Sequence, residues 1–263
     1  METINNEIDP TNEGINSVGG KVLNKSTEGQ MNMTALGHHF PECCLIYVQA
    51  GGGEEDDRKE AGTGVVIDKH RVLTAGHNVH GKKKVSITFN LTTSATNEIF
   101  ADRVLIHKTF LRYFKEYDLA IIEFDNEITN NVANQADPDD YFKKQDLAIA
   151  GYGDMDEVGL KVASSKNYLS DLTLVSNKEL HGKTREREFG YFSEIEFVIS
   201  PRPCEYDSGA PIYTSSSSDR RLLGIMARKV ESVAYGTGYR KNCLKDTICT
   251  RTDNLKFNDY VQQ

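Results

Sequence analysis

Positive charge, cysteine and long apolar runs are what this 263-residue sequence has little of. Lysine and arginine number 31 against 39 aspartates and glutamates, a net charge of −8. That sign argues against a general nucleic-acid binder or a binder of anionic membranes, because both need cationic surface to displace counterions. No stretch approaches the roughly 18 consecutive apolar residues of a membrane-spanning helix. The opening residues Met1–Asn6 lack both the basic and the apolar part of a secretory leader, so no such leader is expected in this sequence. Cys43, Cys44, Cys204, Cys243 and Cys249 are too few and too unevenly spaced for a disulfide framework, and one or two bridges stay open. No H-E-x-x-H and no phosphate-binding Gly-Lys loop occurs. A G-x-S-x-G elbow would need glycines where Tyr206 and Ala210 stand.

What remains is a mildly acidic chain with 38% apolar residues, long enough to bury about 70–75% of its unfolded surface. Residues 1–40 are rich in Asn, Gly, Glu and Lys without a sustained period and read as a tail or strap. From Cys44 onward short β-branched and aromatic runs alternate with turn residues. Strands are expected near 44–48, 63–67, 71–74, 85–89, 103–107 and 119–124. After a polar join over 125–145, more are expected near 147–151, 169–175, 196–199, 210–213, 222–227 and 248–251. Gly51–Asp57 breaks the first run, and Ser215–Ser218 reads as a hairpin tip. Such spacing indicates an all-β sandwich or barrels, divided into 41–135 and 136–263. Only the end reads as helical. Thr252 or Asp253 can cap it, with Leu255, Phe257, Tyr260 and Val261 roughly on one face.

Three segments put reactive groups in strong local context. His77 closes Val72-Leu73-Thr74-Ala75-Gly76-His77, at the end of an apolar strand and the mouth of a turn. Asp118 leads directly into the apolar run Leu119-Ala120-Ile121-Ile122, where burial would hold it close to a histidine and orient its proton. Ser208 sits in the tight loop Cys204-Glu205-Tyr206-Asp207-Ser208-Gly209-Ala210-Pro211. Each alone is an ordinary turn feature; the order and the matching flanks give them joint meaning.

Thr74-Ala75-Gly76-His77, Asp118-Leu119-Ala120 and Asp207-Ser208-Gly209-Ala210-Pro211 resemble the histidine, aspartate and serine motifs of chymotrypsin-like serine proteases. The order His, Asp, Ser separates that family from subtilisins and α/β-hydrolases. Ala150-Gly151-Tyr152-Gly153, Val175-Ser176-Asn177, Leu223-Gly224-Ile225 and Ile248-Cys249-Thr250-Arg251 are similar to further family segments. The resemblance covers about 44–263 and implies two packed antiparallel β-barrels with a short C-terminal helix. It makes Ser208 the nucleophile, His77 the general base and acid, and Asp118 the residue that orients the imidazole. The oxyanion would be held by the backbone N–H groups of Tyr206 and Ser208. A polypeptide is the implied substrate, and no cofactor, metal, nucleic-acid or membrane partner is implied; a monomer is expected. The alternative is an inactive protein of the same fold that binds a partner protein.

Several positions depart from the family pattern. Tyr206 replaces a glycine beside the nucleophile, and a side chain there restricts the backbone that should aim an N–H inward. Arg228 replaces a tryptophan of the pocket wall, and Ala227 a serine. By the resemblance Arg202 stands at the pocket base and Lys229 at its wall, which would favour Glu or Asp before the scissile bond. The other reading leaves Arg202 in solvent. Asp207 would pair with a new α-amino group if Val18-Gly19-Gly20 were exposed by cleavage, or with a Lys or Arg otherwise. Cys204 and Cys243 correspond to a family bridge, whereas Gly62 and Asn78 occupy both positions of the bridge beside the histidine. Cys249 is expected as a buried apolar filler. His38-His39 with Cys43-Cys44 lack zinc spacing, and Glu54–Asp57 reads as a solvated acidic loop. Sequons at Asn24, Asn32 and Asn90 are about as frequent as chance gives and leave the compartment open between secreted and intracellular.

Overall fold

The computed structural model describes residues 33–35, 40–49, 58–89, 98–113, 116–142, 146–153, 162–174, 195–200, 207–214, 220–229, 247–253 and 255–262. The strands are β1 (Met33–Ala35), β2 (Cys43–Gln49), β3 (Arg58–Asp68), β4 (Arg71–Thr74), β5 (Lys84–Thr88), β6 (Ile99–Phe100), β7 (Arg103–His107) and β8 (Ala120–Glu123). They continue with β9 (Leu147–Gly153), β10 (Val162–Leu174), β11 (Glu196–Ser200), β12 (Pro211–Thr214), β13 (Leu222–Lys229), β14 (Thr247–Arg251) and β15 (Tyr260–Gln262). Two short helices, α1 (Gly76–Val79) and α2 (Lys108–Tyr113), follow β4 and β7.

The strands form two antiparallel sheets. One is eight-stranded in the order β15-β7-β8-β4-β3-β2-β5-β6. The other runs β1-β10-β11-β14-β13-β12-β9 and closes on itself, because β9 also pairs with β10. Closure leaves six strands in a barrel with β1 added outside it. The architecture is the expected pairing of β-barrels, one closed and one an open half-barrel sheet.

The period of two along each strand explains where the cores lie. Cys44, Ile46 and Val48 of β2 join Val66, Val72, Val85, Ile87, Ile106 and Ile122 inside the first sheet. Their neighbours Cys43, Val65, Leu73 and Ile121 point the other way, against Ala150, Tyr213, Leu222 and Ile225 of the second sheet. Strands covered on both faces read as continuous apolar runs rather than alternating ones. Each fully buried Leu or Ile contributes roughly 1.5–3 kcal/mol by leaving water, so this shared layer fixes the two sheets against each other. The second barrel is filled by Leu147, Ile149, Leu172, Phe197, Ile212 and Met226, among others. The polar join leans on both sheets, with Ala133 N–H donating to Val66 O and Ala136 N–H to Leu222 O.

Two expectations are corrected. The helix expected at the chain end is a single 3-10 turn at Phe257–Asp259 followed by strand β15, in which Tyr260 pairs with His107. Tyr260 is buried while Phe257 and Val261 are exposed, so these apolar residues do not share one face. Phe257 instead lies under the Arg71 guanidinium, 4.3 Å from it. Helix also occurs away from the end, at α2, whose Phe110 is buried in the first core. No helix among the described residues is long and apolar enough to cross a membrane.

Candidate active site

Strand pairing brings His77 and Asp118 together. β4 and β8 are antiparallel with Thr74 opposite Ala120, and extending that register by two residues sets Gly76 opposite Asp118. α1 then turns the chain so that His77 faces the carboxylate. The His77 backbone N–H donates to Asp118 Oδ1 at 2.9 Å, and its Nδ1 lies 2.6 Å from Asp118 Oδ2. A carboxylate oxygen accepts, so Nδ1 carries the proton and Nε2 keeps its lone pair. Asp118 is buried, whereas the His77 side chain is 42% exposed. Burial lowers the imidazole pKa, but the hydrogen bond and the charge of Asp118 outweigh it, and the net shift is upward.

The turn before Asp118 is locally strained. Tyr117 has φ of 51°, a left-handed conformation unusual for a bulky residue. Its ring stacks on that of His107 with centroids 4.3 Å apart and planes 10° from parallel. Leu119 N–H donates back to Tyr117 O at 2.6 Å, while His107 N–H donates to Leu119 O. His107 is buried, and desolvation pushes its pKa down to about 4, so it is neutral near pH 7.

Ser208 is half-buried in the turn that leads into β12. Its carbonyl accepts hydrogen bonds from Thr63 N–H at 2.8 Å and from Asn78 Nδ2 at 2.9 Å. Thr63 lies on β3 and Asn78 on α1, so both donors come from the first sheet's side. Gly209 N–H donates to Met226 O at 2.8 Å on the second sheet. Gly209 has φ of +81°, and a Cβ there would overlap Thr63 O and Thr74 Oγ1, so the turn requires glycine after the serine. Among the described residues no hydrogen bond joins the Ser208 hydroxyl to His77. Asp207 is buried, and its Oδ1 accepts the Gly153 N–H at 2.9 Å.

The remaining expected residues divide into two groups. Arg228, opposite Ile248 on β14, turns its guanidinium onto the buried Glu196 with contacts of 2.5 and 2.8 Å. Lys229 ends β13 opposite Thr247. Arg202, Tyr206, Cys204 and Cys243 lie outside the described residues, as do Val18-Gly19-Gly20, His38-His39, Gly51–Asp57 and Ser215–Ser218. Cys43, Cys44 and Cys249 are buried and not joined in a disulfide, Cys249 lying within the second core. Among the described residues no three His, Cys, Asp or Glu side chains converge to hold a metal ion. Sequence reasoning misses the parts played by Asn78, Thr63 and Thr74. The one signal for Asn78 is its place, with Gly62, at both positions of the absent bridge.

A family model described as Trypsin matches residues 37–252. Hypodermin-A of Hypoderma lineatum is 23% identical over 192 residues, covering 66% of this chain and 69% of that protein. Among solved structures, the VesB protease of Vibrio cholerae superposes with a TM-score of 0.60 at 16% identity, covering 84% of this chain and 64% of VesB. The secreted serine protease VesC of Vibrio cholerae gives 0.62 at 15% identity, over 84% of this chain and 46% of VesC. HL collagenase gives 0.61 at 19% identity, over 83% and 90%. The chain thus spans less than two thirds of the two Vibrio proteins.

Proposed function

The chain belongs to the trypsin family, and from that premise we propose that it is a serine endopeptidase acting through Ser208, His77 and Asp118. The observation that carries this reading is the double grip of Asp118 on the backbone and ring of His77, beside a loop whose Ser208 carbonyl is bonded to the adjacent residue, Asn78. In the proposed reaction the Ser208 hydroxyl attacks the peptide carbonyl while His77 Nε2 takes its proton. The imidazolium so formed is stabilised by Asp118. It gives the proton to the leaving amine, and the acyl group stays on Ser208. Water then attacks the acyl-enzyme, with His77 as base again, and releases the acid. The backbone N–H groups of Ser208 and Tyr206 would meet the developing oxyanion, a contribution of about 3–4 kcal/mol per donor.

A second reading has one observation in its favour. With no hydrogen bond from the Ser208 hydroxyl to His77, an inactive protein that binds a partner through the same fold would have this geometry too. In active enzymes of this kind the bond often tightens only once substrate is bound. A fluorophosphonate probe separates the two. An active enzyme forms a stable phosphonyl ester, found by mass spectrometry on Ser208 and lost in Ser208→Ala. Folded protein that stays unlabelled at high probe concentration would overturn the protease reading in favour of the binding module.

A further inference from the structure

We propose that Asn78 is a positioning residue for Ser208, its side-chain amide tying the serine's own carbonyl to the turn that carries His77. The inference rests on the reading of Ser208 as nucleophile and names what sets its place relative to the base.

Asn78 is the residue after His77 and is only 4% exposed. Its Nδ2 donates to Ser208 O at 2.9 Å and to Thr74 Oγ1 at 3.0 Å. Thr74 Oγ1 gives its single proton to Thr63 O at 2.8 Å, so towards Asn78 it can only accept. The Ser208 carbonyl also only accepts. Both partners therefore demand the NH2 end of the amide, and the orientation of the Asn78 side chain follows from chemistry alone.

The other end of that amide is informative. Asn78 Oδ1 is buried without a hydrogen-bond partner. A desolvated, unpaired carbonyl oxygen weakens a fold, and an apolar side chain at this position would not carry that cost. What asparagine supplies here is the Nδ2 donor to Ser208. The surroundings are shaped to admit it. Gly62 has no side chain, and a Cβ there would sit 2.6 Å from Asn78 Nδ2 and overlap Ser208 O. With Thr63 N–H on the same oxygen, the first sheet holds the peptide that follows Ser208 through two donors. The second sheet holds the next N–H, that of Gly209. The peptide between Ser208 and Gly209 is thus clamped between the sheets, and the Ser208 side chain departs from its edge.

The test is Asn78→Leu, which keeps the side chain's bulk, removes the donors and also removes the stranded oxygen. Labelling by a fluorophosphonate is followed well below the melting temperature and resolved into the saturating rate and the half-saturating concentration. The saturating rate should fall by about 10- to 100-fold, as expected when reacting groups shift by an ångström or less. The half-saturating concentration should stay near wild type. The midpoint of the pH profile should not move, because Asp118 still holds His77. Asn78→Ala serves in the same way if the leucine variant fails to fold. Folded variants that label at the wild-type rate would overturn the inference, as would a loss confined to probe affinity or a shifted pH midpoint. Wild-type protein that never labels would overturn the reading of Ser208 itself, a distinguishable outcome.

Discussion

On the first sheet, His77 and Asp118 meet through direct bonds of 2.6 and 2.9 Å, drawn into place by the β4–β8 register. On the second, Ser208 is placed by its backbone, through a carbonyl and a neighbouring N–H held from opposite sides. His77 and Asp118 are joined through side-chain hydrogen bonds, whereas Ser208 is held through its peptide groups. Damage to the first half should therefore change proton affinity and rate together, and damage to the second half should change rate or stability alone.

The largest expected effect breaks the first half. Asp118→Asn presents an NH2 or a neutral oxygen to Nδ1 and favours the wrong tautomer, so turnover of a peptide substrate should fall by about 10⁴-fold with the fold intact. A loss under tenfold, measured with circular dichroism confirming structure, would show that Asp118 does not orient the base. On the second sheet the corresponding pair is structural. Arg228→Ala takes the guanidinium away from the buried Glu196 carboxylate, which should cost about 3–5 kcal/mol in urea unfolding. Arg228→Met with Glu196→Leu should recover most of that loss.

Acid sharpens the contrast further. His107 behind the Asp118 turn has its pKa lowered from 6.5 to about 4, so the unfolded chain binds its proton first as pH falls. Stability present above about pH 6.5 is lost as pH drops towards 4, by on the order of 3 kcal/mol. His107→Phe, which can keep the stack on Tyr117, should flatten that part of the stability curve. The smallest effect belongs to the exposed Lys69–Glu127 pair on the first sheet, whose side chains are 67% and 59% exposed. Lys69→Ala should change unfolding free energy by no more than about 0.5–1 kcal/mol.

The strands were legible because their apolar runs are short, β-branched and bounded by turn residues. Arg103–His107 and Arg71–Thr74 have the boundaries expected of them. Ends governed by pairing rather than pattern were not legible. β3 starts at Arg58 because Arg58–Glu60 pair with Tyr47–Gln49, although that stretch is polar. β1 arises within the segment that reads as a tail or strap because Met33–Ala35 find β10 as a partner. The chain end reads as a helix because its few apolar residues fit a helical face as well as a strand, and only the pairing of Tyr260 with His107 decides between them. Within the site, His77, Asp118 and Ser208 carry local signatures. Asn78 has only its place, with Gly62, at the positions of the absent bridge, because the carbonyl it meets lies 130 positions away.

The most direct test of the central claim, that His77 held by Asp118 activates Ser208, is the pH dependence of fluorophosphonate labelling. The base must be neutral to accept the proton, and its pKa is raised. The rate should therefore climb with pH through a single midpoint above the ordinary histidine value of about 6.5, and collapse in His77→Ala. Stability from the same pair runs the other way, complete below about pH 6.5 and lost as pH rises through that midpoint. A labelling rate independent of pH between about 5 and 9, and equal in the wild type and His77→Ala, would contradict the account.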